Sequence, residues 1–407
     1  MELDLALLTD AVDDRGTSDL AAIRFRQEYE PAAGRGAKVY PPTYPRNNAP
    51  PYIFERRFDD AGEPVETVLL DSVASQANRV EEALLDAVDD QLVRIPLLIV
   101  ETTIHGRPIR LTSLQMPHRC SDAYLRDSET ADGTRFDATE IGRALRRATL
   151  RDAEIVYRVC PTALVYGTWD SYRGRPELSF KAPRVWVSEL YGVLRDRESD
   201  VGLRPGSRLD PIGMLGATVK KIGEEQSEWE FVEPGEDEPV PAREPKWTKV
   251  KLGATTRIST IGHGNIRPEV NVGGVAIERA RRTASLSLAG LRRLRFPVGG
   301  ERSPKRDAAG RATLVALALL GDRLAFGRPD LSLRSGCDLV VVEDAVEMVD
   351  RGGKATAIDL TAKRAQQLLE EAMGRAETLG LKWLTEPVVL RPRPNLQRAL
   401  EASLPEI

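Results

Sequence analysis

Between Ala22 and Tyr29 the side chains alternate. Ile23, Phe25 and Tyr29 point one way and Arg24, Arg26 and Glu28 the other. Only a strand with one buried and one wet face satisfies that period of two. The chain must therefore build a half-covered sheet and supply helices to cover it. Asp71 or Ser72 can cap the first of these, a helix running to about Asp89. Its buried stripe reads as Val73, Ala77, Val80, Leu84, Ala87 and Val88, which places Ser72, Ser75, Gln76 and Arg79 on the opposite side.

Further along, Leu92 to Ile104 and Ile109 to Gln115 flank His105-Gly106-Arg107-Pro108, the pattern of a hairpin. A short helix is expected near Thr139 to Thr149. Strand-like runs follow at Glu154 to Gly167, Arg184 to Tyr191 and Lys246 to Ile261. Near the C-terminus a strand is expected at Asp338 to Glu343, an amphipathic helix at Leu360 to Leu379 and a strand at Glu386 to Arg391. One stretch resists regular structure. Glu30 to Pro51 is rich in proline and glycine, with Lys38, Tyr40, Tyr44 and Arg46 interleaved, and reads as a long surface loop. Ser199 to Glu244 is polar, acidic and proline-bearing, and reads as an exposed insertion. This succession of strands and helices predicts an α+β fold: a single elaborated domain over residues 1–407 with an RRM-like (ferredoxin-like) core, into which residues 199–274 are inserted.

Charge narrows the function. The chain of 407 residues has a formal net charge of −4, which on its own argues against a nucleic-acid partner. The average conceals segregation, because Gly223 to Glu244 holds nine acidic residues against one basic, whereas Arg279 to Arg311 holds ten basic against two acidic. A basic face can attract phosphates within a screening length of about 10 Å whatever the total charge. Three dispersed cysteines (Cys120, Cys160, Cys337) and three histidines (His105, His118, His263) show no ligand spacing, so neither disulfides nor a metal or other cofactor are expected. Met1 to Asp14 lacks the features of a secretory signal, and Ala312 to Leu320, the longest apolar run, is too short to cross a bilayer. A cytoplasmic protein without a membrane partner is the expectation.

Three constellations could bind an anion. The helix start Asp71 to Arg79 offers unpaired backbone N–H groups beside Ser75, Gln76 and Arg79, although a solvated helix face reads equally simply. Gly262-His263-Gly264-Asn265-Ile266-Arg267-Pro268, closing at Asn271 to Gly274, allows a protruding β-finger or a plain hairpin turn. It lacks the Gly-Lys-Ser/Thr of a P-loop. The arginines 279, 281, 282, 292, 293 and 295, with leucines between, suit a row along a phosphate backbone, or solvated faces. Catalysis finds no comparable anchor. His118-Arg119-Cys120-Ser121-Asp122 crowds reactive side chains in sequence, but triads converge from separate segments.

Tyr29-Glu30-Pro31 through Tyr40-Pro41-Pro42-Thr43-Tyr44, Leu70 to Arg79, Leu164 to Ser171 with Lys181 to Arg184, and Gly262 to Gly274 with Arg281-Arg282-Thr283 resemble the Cascade backbone subunit of type I-G (formerly I-U) CRISPR systems, within the RAMP superfamily. The resemblance implies an RRM-like palm with inserted fingers and a thumb-like β-hairpin. Such protomers assemble side by side as a helical filament on CRISPR guide RNA, with other Cascade subunits, so that guide segments pair with target DNA. Carried over by position, Ser75, Gln76 and Arg79 would grip the guide backbone, with Lys38, Tyr40 and Arg46 in the early loop and His263, Asn265 and Arg267 in the thumb. Arg24, Arg26, Arg281 and Arg282 join them on charge and alternation alone. No aspartate aligns with the cleaving loop aspartate of some relatives, so no enzymatic activity is expected. The alternatives are a superfamily ribonuclease that processes precursor CRISPR RNA, and a scaffold that self-assembles through its acidic and basic blocks.

Overall fold

The computed structural model describes residues 3–44, 51–170, 180–196, 200–212, 214, 216–233 and 246–404. They form two compact units, Met1–Arg195 with Ile277–Ile407, and Asp196–Ala276.

In chain order the larger unit contributes α1 (Leu5–Val12), β1 (Leu20–Pro31), β2 (Phe54–Phe58), β3 (Pro64–Asp71), α2 (Val73–Asp89), β4 (Trp186–Val193), β5 (Arg279–Ser287), α3 (Pro304–Phe326), β6 (Asp330–Arg334), β7 (Cys337–Asp350), β8 (Ala355–Ile358) and α4 (Ala362–Thr378). The eight strands make one curled sheet in the order β6-β7-β1-β5-β4-β3-β2, with β8 paired to β7. Every pairing is antiparallel. β1 behaves as its alternation requires, with Ile23, Phe25, Gln27 and Tyr29 buried. In the register of β1 on β5, Gln27 faces Arg282 and Glu28 faces Arg281, so each strand sends one neighbour to each side.

The covering layer is built around α3. Most of its residues are buried around its whole circumference, as a helix surrounded by protein must be. Each fully buried leucine along it contributes about 1.5–3 kcal/mol. Against it pack α2 and α4, the latter through Ala365, Leu368, Leu369, Ala372 and Ala376. Gly321 permits the approach of α2, since a Cβ there would lie 2.5 Å from Val80 Cγ1 and 2.6 Å from the Tyr166 hydroxyl.

Two expectations are corrected here. Gln76 belongs to the buried stripe of α2 rather than its wet side. It stands four residues before Val80 and eight before Leu84, so helical geometry places all three together. Glu154 to Gly167 is helical, as Glu154–Val159 and Thr162–Val165. A continuous apolar run buried on all sides carries no period to separate helix from strand, and Pro161 divides this one between two short helices. The hairpin forms with a tighter turn than read, Arg107 and Pro108 being strand residues and the first strand starting at Leu98 rather than Leu92. Leu98–Ile104 and Arg107–Thr112 are joined by His105 and Gly106, both at positive φ, and Val388–Pro392 adds in parallel.

In the smaller unit Val201–Arg208 pairs antiparallel with Ile266–Ala276. Thr218–Lys221 lies between Trp229–Phe231 and Thr255–Arg257. The expected strand from Lys246 to Ile261 is thus mostly turns: a 3-10 turn at Trp247–Lys249, three strand residues, then another 3-10 turn at Ile258–Ile261 ended by left-handed Gly262.

Candidate nucleic-acid interface

Four of the candidate residues meet at one end of the main sheet. Tyr40 is held by its backbone, its N–H donating to Gly336 O at 3.0 Å, while Arg334 Nη1 donates to Tyr40 O at 3.3 Å. Lys38 Nζ sits 5.8 Å from the Tyr40 ring centre. Gly336, at φ +74, turns β6 into β7 beneath that ring, where a Cβ would come within 2.5 Å of Tyr40 Cδ2. Only glycine accepts both that dihedral and that contact. On the helix side, Ser72 caps α2 by accepting from the Ser75 N–H at 3.3 Å. Arg79 Nε donates to Asp71 Oδ2 at 2.9 Å, and its Nη2 to Leu333 O at 3.1 Å, tying α2 to β6.

Buried Asp71 organises this end. Gln76 Nε2 donates to it at 2.6 Å, and Arg334 approaches it at 3.9 Å. Arg79 and Arg334 therefore converge on the Asp71 carboxylate, with Lys38 beside the Tyr40 ring that Arg334 holds. A guanidinium carries five N–H donors, so the three bonds Arg79 makes leave two for an external acceptor. Arg334 and Gly336 were not among the sequence candidates. The Ser335-Gly336 pair between alternating runs was the available signal for a turn there.

The uncovered face of the sheet gathers Arg24, Arg26, Arg279 and Arg281, together with Arg57, which the sequence reading missed. Arg24 and Arg26 pair with Glu347 at 3.6 and 3.8 Å. Arg281 donates to Glu28 Oε1 from Nη2 at 2.7 Å and lies 3.4 Å from Asp60. Arg57 pairs with Glu189 at 2.5 Å and stacks 4.3 Å from the Tyr191 ring centre. Burial works against the charge of Arg281, yet the Glu28 hydrogen bond holds its affinity for the proton above the ordinary value. Carboxylates thus balance arginines across this face. Satisfaction is incomplete, because Nε of Arg26, Arg57 and Arg279 and Oε2 of Glu347 are buried without hydrogen bonds.

Arg282 is elsewhere. It is fully buried beneath the sheet, donating to Asp322 from Nη2, to Gln27 Oε1 at 2.8 Å, to Ser188 Oγ at 2.9 Å and to Gln76 Oε1 at 3.1 Å, over the Phe326 ring at 3.8 Å. Burial alone would raise the Asp322 carboxyl, but Arg282 and Arg323 hold it below the ordinary range. Gln76 and Arg282 thus hold the core together in this structure and present nothing to an RNA. The expected single row of arginines also divides. Arg279 and Arg281 lie on the uncovered face, Arg282 in the core, and Arg292, Arg293 and Arg295 beyond the strand end, because a period of two separates neighbours.

In the smaller unit, Asn265 Oδ1 accepts from the Asp210 N–H at 2.7 Å, and Asp210 Oδ2 accepts from the Gly264 N–H at 3.0 Å. The exposed His263 ring lies 6.4 Å from that of Trp229. Arg46 and the Arg267 side chain fall outside the described residues. Among the described residues no helix is long and apolar enough to cross a membrane.

No curated protein matches the chain. Residues 23–196 match the model of the family described as CRISPR-associated protein GSU0053, a stretch that runs from β1 through the Asp71–Arg79 helix start to the end of β4. Over that stretch the chain is similar to a CRISPR-associated family.

Proposed function

We propose that the chain is a non-catalytic, RNA-binding backbone subunit of a type I-G Cascade complex, repeated along the guide RNA. The observation that carries this reading is the convergence of Lys38, Tyr40, Ser75 and Arg79, far apart in sequence, on one end of the sheet. The antiparallel order β7-β1-β5-β4, with α2 between β1 and β4 in the chain (after the β2–β3 hairpin) and α3 between β5 and β7, matches the strand order of a ferredoxin-like palm and supports the RRM-like assignment. In this reading the unit Asp196–Ala276 supplies the thumb-like element and copies of the chain bind side by side in the cytoplasm. The guide then pairs with target DNA, and cleavage belongs to another protein.

Binding dominated by phosphate contacts weakens steeply with salt and depends little on sequence. Arg79→Ala is expected to lower guide affinity by a similar factor for unrelated spacer sequences, measured by gel shift. Loss confined to one sequence would refute backbone gripping. Sequencing RNA extracted from the purified protein tests the assignment itself, repeat-flanked spacers being the expected product. Defined cleavage of labelled repeat RNA by the pure protein would instead favour the processing ribonuclease.

A further inference from the structure

Beyond the end of β5 the chain builds a second, more strongly basic feature that the site above does not use. Arg151, Arg292, Arg293, Arg295 and Arg302 line a cleft of about 440 Å³ with Leu150 as the remaining lining residue, so among the described residues no carboxylate lines it. Backbone pairing fixes its walls. Arg295 N–H donates to Leu150 O and Ala153 N–H to Arg295 O, both at 2.9 Å, and Val298 bridges Glu301 to bring Arg302 alongside.

Two of the five guanidiniums are anchored and three are free. Arg292 donates from Nη2 to Ala11 O at 2.6 Å and to Leu20 O at 2.7 Å. Carbonyl oxygens orient a guanidinium without neutralising it, so Arg292 keeps its whole charge. Arg295 is held by Arg292 O and Leu294 O and shares Asp14 and Asp307 with Arg311. Arg151, Arg293 and Arg302 are exposed and, among the described residues, have no hydrogen-bond or ion-pair partner. Arg311, beside Arg295, feels its charge. Burial lowers its affinity for the proton and the Arg295 charge lowers it further, against the hydrogen bond to Asp14.

Like charges are held this close only at an energetic cost, which a polyanion would relieve. The geometry points to a binding site for consecutive phosphates of a nucleic-acid strand in the cleft formed by Arg151, Arg292, Arg293, Arg295 and Arg302. Arg292 and Arg295 form its rigid floor, and the other three close over the strand. A planar guanidinium matches phosphate oxygens two at a time, which suits arginine better than lysine to such a cleft. This inference does not depend on the guide-binding reading, since it uses none of the same side chains.

Among the described residues, Arg151, Arg293 and Arg302 can be replaced together by alanine without removing a side-chain hydrogen bond or ion pair. The first arm of the test is thermal shift of the full chain with inorganic tripolyphosphate. Wild type is expected to gain stability and the triple variant to gain none, whereas equal shifts would overturn the site. The second arm measures anisotropy of a labelled single-stranded RNA against salt. Loss of three phosphate contacts should reduce the slope of log K on log salt by about 2. If tripolyphosphate binding is lost but the RNA slope is unchanged, the cleft takes free polyphosphate and the strand assignment fails. Arg79→Ala runs in parallel, and an effect of that variant without one of the triple would support guide binding while overturning the cleft.

Discussion

The two faces of the main sheet treat arginine in opposite ways. Arg281 and Arg282 are adjacent in β5, yet Arg281 lies on the uncovered face with Glu28 and Asp60, while Arg282 is sealed under helices with Asp322, Gln27, Gln76 and Ser188. Around Arg282 the hydrogen bonds all go to partners inside the protein, and three aromatic rings lie 3.8–6.0 Å from the guanidinium. On the uncovered face several pairs are longer than 3.5 Å and some buried nitrogens lack an acceptor. One set is sealed from any outside partner. The other has capacity left for something outside it, which is how a face that holds the fold differs from one that can meet a partner.

The largest test of that contrast is Arg282→Ala. It takes from buried Asp322 one of its two cations, leaving Arg323, and strips Gln27, Gln76 and Ser188 of their shared donor, at a cost of about 3–5 kcal/mol, read from urea unfolding. An unchanged urea midpoint in Arg282→Ala would erase the distinction between the faces. Acid offers a second view. Since Arg282 and Arg323 hold the folded Asp322 below its unfolded range, its contribution is complete above about pH 4 and is lost as pH falls through the depressed folded value. Asp322→Asn should therefore be less stable at neutral pH and show a shallower decline on acidification than wild type.

The fates of these residues were unequally legible. Alternation located β1 and its two faces, and the capped start and stripe located α2 to the residue at its C-terminal end. What periodicity does not encode is which residues pair across the sheet. Arg281 and Arg282 are alike in sequence, and only the registers of β5 with β1 and β4 decide that Arg282 meets Gln27 on one side and Leu190 on the other. Gln76 was misplaced for a related reason: a polar residue in a helix is read as wet unless its partners, here Asp71, Ser188 and Arg282, are known. The charge block from Arg279 to Arg311 was real, but its arginines serve the uncovered face, the core and the cleft in turn. The convergence of Tyr40 with Arg334 depends on a pairing almost 300 residues apart, and no local pattern announces it.

A smaller change sharpens the contrast from the uncovered side. Arg281→Ala removes a half-buried pair and leaves Glu28 within reach of Arg279 at 3.9 Å and of water. The expected loss is about 1 kcal/mol. Paired with Arg282→Ala in one denaturation series, it compares two neighbouring residues of one type whose costs should differ severalfold. Equal costs would mean that the helices contribute no more shielding than water does.

The smallest effects belong to Arg24 and Arg26, whose side chains are 42% and 40% exposed and share Glu347. Alanine at either alone should change stability by no more than about 0.5 kcal/mol, since solvent screens such pairs and the other arginine remains beside the carboxylate. The double variant differs in kind. Glu347 is 14% exposed, and only loss of both arginines leaves it half-buried without a cation, so the double cost should exceed the sum of the singles. Simple additivity would show that Glu347 needs neither arginine, and both would then be free to bind an external phosphate without loss to the fold.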